Sequence, residues 1–168
     1  MKKLILPILG LFLVSFLFSC KPSAKEALEY NDAIISQQAA IIEKINALND
    51  TYENYVAKDM DAAFENCMNQ INTSTEAVKK LSSFGGSESF KEEALKLFAI
   101  YKNVMEKNHS EMIRLYKLPE DKYTQKEIDM WDKYSKEANH KIDAGFSDFK
   151  KVQDEFIKKY NLKKEEKK

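Results

Sequence analysis

The chain has 168 residues, with 27 basic and 27 acidic side chains, and 32% of its residues are charged. Both signs are interspersed, which excludes the concentrated basic footprint of a nucleic-acid binder. Four glycines and three prolines leave little turn chemistry and favour long helices over a sheet, and the length suits one domain with a single core.

The chain opens with an apolar run, Leu4 to Phe18, preceded by Lys2 and Lys3 and followed by Ser19-Cys20. A basic start, an apolar middle and a small residue before the cut make a secretory signal, and the cysteine after the cut makes it a lipoprotein type. The run holds about 15 residues, short of the roughly 20 that span a bilayer, and Pro7 and Gly10 interrupt it. The expectation is that residues 1–19 are a cleaved signal peptide and that Cys20 carries acyl chains anchoring the rest. Cys67 is then left without an intramolecular partner, and its place on an apolar stripe reads as core.

Ser23-Ala-Lys-Glu26 is a capping box, so the first helix starts just after Cys20. Its stripe runs Ile34, Gln38, Ile41, Ile45, Leu48, Tyr52, Tyr55, the 4-3 spacing of a helix packed at a shallow angle on its neighbours. Lys58-Asp59-Met60-Asp61 breaks the pattern. The second helix repeats the spacing through Met60, Phe64, Cys67, Ile71, Ser74, Val78 and Leu81, and Gly85-Gly86 suits the left-handed turn that follows it. Ser89-Phe-Lys-Glu92 reads as a second capping box, opening a third helix with Phe90, Ala94, Leu97, Tyr101, Val104, Asn108, Met112 and Leu115 inward.

Leu118-Pro119 interrupts again, and Thr124-Gln-Lys-Glu127 opens a fourth helix. Its stripe is Ile128, Trp131, Ser135, Ala138, Ile142, Phe149, Val152 and Phe156, with Gly145 placed for a close helix approach. The prediction is an all-α protein, an up-down-up-down four-helix bundle with antiparallel neighbours over residues 20–162, followed by a charged tail, 163–168. Each rod would span roughly 35–55 Å at about 1.5 Å per residue.

In that arrangement the anchor end gathers the start of the first helix, the Gly85-Gly86 turn and the C-terminus. It collects Lys21, Lys25, Lys79, Lys80, Lys91, Lys158, Lys159, Lys163 and Lys164, with Glu26, Glu29, Glu88 and Glu155 mixed in. Such an end is either attracted to anionic lipid or an ordinary solvated surface. The opposite tip is rich in aromatics. Tyr55, Tyr123, Tyr134 and Trp131 there either cap the core or contact a partner, since tyrosine and tryptophan are enriched where proteins bind one another. Gln38, Ser74 and Tyr101 fall at similar heights and read either as a register-fixing polar layer or as a small ligand pocket.

Two Glu-x-x-His sequences, Glu106 to His109 and Glu137 to His140, match how ferritin-like bundles hold two metal ions. Helical phase decides against a metal site: Glu106 lies about 140° from Tyr101 and His140 about 200° from Ala138, so the ligands do not converge. No Cys-x-x-Cys-His, phosphate loop, nucleophile elbow or His-Glu-x-x-His is present, and two histidines offer few groups for acid–base work. No cofactor beyond the covalent lipid is expected.

The stretch from Cys20-Lys-Pro-Ser through Tyr30-Asn31-Asp32 to Gln38, with the Leu118-Pro119 turn, resembles a family of surface lipoproteins from Bacteroidota and spirochaetes. The resemblance implies an outer-membrane lipoprotein and carries no chemistry with it. Surface-exported lipoproteins of that phylum tend to have acids directly after the cysteine, whereas Lys21-Pro22-Ser23-Ala24-Lys25 has none, so surface-exposed and periplasm-facing placements both stay open. The sequence is read as a non-enzymatic binding or structural module of the cell envelope, held on the membrane by its lipid and contacting an envelope protein at the far tip. The alternative is a small-molecule or metal-binding bundle built on the Gln38, Ser74 and Tyr101 layer.

Overall fold

Ser23 starts the first helix as its spacing to Glu26 requires. Its hydroxyl accepts the Glu26 N–H at 3.2 Å, and the Glu26 carboxylate accepts the Ser23 N–H at 2.7 Å, which holds that carboxyl below its usual range. The computed structural model describes residues 22–54 and 57–162. Cys20, Tyr55 and the 163–168 tail lie outside the described residues.

Four helical rods form the fold, and no β-strand occurs among the described residues. They are α1 (Ala24–Glu53), α2 (Met60–Lys79), α3 (Ser89–Val104) continued through a π turn (Met105–His109) into α4 (Ser110–Tyr116), and α5 (Gln125–Lys159). The all-α bundle expected from the stripes is present. Among the described residues no helix is long and apolar enough to cross a membrane. Most of the predicted stripe is buried: Ile34, Ile41, Ile45, Leu48 and Tyr52 on α1; Met60, Cys67, Ile71 and Val78 on α2; Phe90, Ala94, Leu97 and Tyr101 on α3, joined by Phe98 from outside the stripe; and Ala138, Phe149 and Phe156 on α5, where Trp131, Ser135, Ile142 and Val152 are half-buried.

A ring cluster ties three of the rods and one loop together. Tyr30 of α1 stacks on Phe84 at 4.8 Å, Phe90 of α3 lies 4.9 Å from Phe156 of α5, and Phe156 lies 4.8 Å from Tyr160. Aromatic pairs at such spacing add about 0.5–1.5 kcal/mol each beyond the area they bury. Higher up, α3 and α5 approach at Gly145, where a Cβ would sit 2.5 Å from Ile100 Cδ1. Asn31 on α1 accepts from Gln153 Nε2 on α5 at 3.1 Å.

Four expectations are corrected. Ser89 is not a cap: α3 begins with it, while Ser87 Oγ accepts the Ser89 N–H at 3.4 Å and the Glu92 N–H goes to the Glu88 carbonyl at 2.8 Å. Ile128 is 45% exposed, because α5, at 35 residues, is longer than the rods available to cover its first turn. Lys91 is buried rather than on a charged surface; its ammonium donates to the Leu81 carbonyl at 3.1 Å and pairs with Glu88 at 3.3 Å, satisfying the chain where it leaves α2. The third rod is not one continuous α-helix.

The loop between α2 and α3 depends on Gly85, at φ +59°, where a Cβ would fall 2.0 Å from Tyr160 Oη. Gly85→Ala should therefore lose about 1–2 kcal/mol through the left-handed backbone alone, and more through displacement of Tyr160. Gly86→Ala, also at positive φ but with nothing within 4 Å, should show the backbone part only. Urea denaturation of the two variants checks this, and equal losses would mean that Tyr160 yields without cost.

Candidate functional site

The π turn follows from where the backbone hydrogen bonds go. The Ser110 N–H reaches back five residues to the Met105 carbonyl, and the Ser110 hydroxyl takes the Glu106 carbonyl at 2.7 Å, the acceptor an α-turn would have given to that N–H. The wider turn brings an extra residue to the core side. Met105, Asn108 and His109 are all buried, while Glu106 and Lys107 face out. Such turns recur at functional sites.

Each of the two buried polar residues has a fixed partner set. Asn108 Nδ2 donates to the Tyr134 carbonyl of α5 at 3.1 Å, and Lys141 donates to Asn108 Oδ1 at 3.1 Å. His109 Nδ1 lies 3.2 Å from Tyr52 Oη of α1, with the two rings nearly parallel and their centroids 5.9 Å apart; the imidazole tautomer decides which donates. Burial pulls the His109 pKa down to about 4, so the imidazole is neutral at pH 7. Burial also raises the Tyr52 phenol, with a smaller contribution from the nearby Cys67, and pushes the Cys67 thiol up to about 11.

Tyr52 and His109 form part of the wall of a cavity of about 190 Å³. Trp131 and Ser135 of α5 face the same space, with Asn49 and Asn139. Trp131 meets Tyr52 edge-on, at 6.2 Å and 88°, and its buried indole N–H has no hydrogen-bond partner among the described residues. Among the described residues the only charged side chain on the wall is Glu53.

The sequence-predicted residues separate accordingly. Gln38 Nε2 donates to Tyr101 Oη at 3.3 Å, so these two meet; burial raises the Tyr101 phenol and the Gln38 bond partly offsets it. Ser74 bonds instead to Gln37, donating to Oε1 at 3.0 Å, and accepts from Gln70 at 2.9 Å. The polar groups of this layer have partners within the protein. Of the aromatic tip, Tyr123 is exposed, Tyr134 is half-buried with its carbonyl given to Asn108, and Trp131 is half-buried against Tyr52. His109, set aside on sequence grounds, belongs to the site, and the π turn is the reason. Among the described residues no group of three or more His, Cys, Asp or Glu is arranged to hold a metal ion. Comparison of the chain with protein-family models, with curated proteins and with solved structures returns no match.

Proposed function

We propose that the chain is a lipoprotein of the bacterial outer membrane, acylated at Cys20 after loss of residues 1–19. Its bundle acts as a non-enzymatic binding module of the envelope. The observation that carries this reading is the start of α1 at Ala24, four residues past Cys20, with Pro22 already against the Gly85 turn. A lipid on Cys20 would then hold the rod directly at the headgroups, without a linker.

An up-down-up-down course with antiparallel neighbours goes with this reading. Tyr30, near the start of α1, touches Phe90 at the start of α3 and Phe156 at the end of α5. Tyr52, at the end of α1, touches His109 beyond α3 and Trp131 at the start of α5. Both sets of contacts favour α1 and α3 running one way and α5 the other. The cavity and the exposed Tyr123 would then lie at the end remote from the membrane, which we assign as the working end and the place where an envelope protein is met.

Cells fed an alkyne palmitate analogue test the anchor. The wild-type chain should take up the label and float with membranes in a density gradient. Cys20→Ser should lose the label and move to the soluble fraction. If Cys20→Ser still floats with membranes, the anchoring reading fails.

A further inference from the structure

Among the described residues, the cavity beside the π turn joins room for a small molecule to a wall almost without charge and to the buried Trp131 N–H that lacks a partner. A dry cavity of about 150 Å³ takes benzene, so about 190 Å³ accommodates one ring with one or two substituents, about eight non-hydrogen atoms. Its wall offers no cation among the described residues, and His109 is neutral, so an anion entering would meet only uncharged donors and the repulsion of the Glu53 carboxylate. Glu53 could attract a cation, yet a cation has no acceptor to give the Trp131 N–H. Asn49 and Ser135, half-buried, and the exposed Asn139 add side chains that present both donors and acceptors to the same space. Ile45, Met112 and Ile142 supply the apolar part of the wall.

We propose that this cavity binds an uncharged single-ring molecule carrying both hydrogen-bond donors and acceptors, of the class of a cyclic amide or a pyrimidine base. The Trp131 N–H and the asparagine amides donate to its carbonyls; the asparagine carbonyls and the Ser135 hydroxyl accept from its N–H groups. The ring packs against the isoleucines and Met112. This deepens the reading above, naming what the remote end takes up, and rests on that end being the working one.

Trp131 is the chain's single tryptophan, so its fluorescence reports on this cavity alone. The full chain is titrated with 2-piperidone and with uracil as neutral rings, and with benzoate and piperidinium as an anion and a cation of similar size. The neutral rings should give a saturable change in emission with a Kd at or below about 1 mM, and the two ions a response at least tenfold weaker. Ser135→Leu, which fills the cavity, should lose the response while circular dichroism shows the same melting temperature within a few degrees. Absence of a saturable response to either neutral ring overturns the proposal. So does an equal response to benzoate or piperidinium, or a Ser135→Leu variant that responds as wild type does. Cys20→Ser should bind the neutral rings like wild type, so failure of the anchor and failure of the site give different results.

Discussion

Phe90→Ala should destabilise the fold by about 3–5 kcal/mol, the range for deleting a buried phenylalanine, and lower the melting temperature by roughly 10–15 °C. Phe90 is 3% exposed and sits at the centre of the ring cluster. It stacks on Phe149 at 5.6 Å and 21°, lies 4.9 Å from Phe156, and faces Tyr30 at 6.4 Å. Removing it takes away the shared partner of α1 and α5, and the surrounding rings are too rigid to collapse into the space. Tyr123→Ala, at an exposed ring, should stay within about 0.5 kcal/mol of wild type by the same urea denaturation. A Phe90→Ala loss under about 1 kcal/mol would show that the cluster repacks around the gap.

The second large effect is a fall in stability below pH 6.5 that belongs to His109. In the fold its pKa is about 4, against about 6.5 in the unfolded chain. Well above pH 6.5 neither state carries the proton, and the stability is fully present. As the pH falls from 6.5 towards 4 the unfolded chain binds a proton that the native state refuses, so stability is progressively lost, by about 3 kcal/mol in all. Tyr52 and Cys67, the buried groups nearby, are both shifted upwards and do not titrate in this window. Glu26 and Glu127 are held below their usual value of 4.5, so their contribution begins to go only at the acid end of this window and is lost as the pH falls further. His109→Gln removes the titrating group. Its unfolding free energy, measured in urea at pH 7, 5.5 and 4.5, should change much less than that of wild type; parallel curves would place the pH sensitivity elsewhere.

Much of the fold was legible because its signals are local. The Ser23–Glu26 and Thr124–Glu127 pairs close the hydrogen bonds that a helix start leaves open, and Glu127 accepts the Thr124 N–H at 3.2 Å as the spacing implies. The 4-3 stripes located the core because burial of a helix face needs only period. Ser89 misled because Glu88, one residue earlier, supplies the carbonyl that the first turn needs. The candidate site was harder. Val104, Asn108 and Met112 follow one another at four and four where the alternation asks for a three, and apolar or polar residues double up as Val104-Met105, Asn108-His109 and Met112-Ile113. That excess of one residue was the available sign of a π turn. Whether His109 would then meet Tyr52 or solvent depends on the packing of α1 and α5, which no local pattern records.

The π turn also makes the site separable from the framework that carries it. It holds one residue more than the α-turn it replaces, so excising a single codon within Met105–His109 would return the rod to ordinary winding with Tyr101 and Leu115 still pointing inward. The same excision in the middle of α1 would swing every later side chain by about 100° and scatter the core. A single-codon deletion there should therefore take His109 from Tyr52 while the architecture survives.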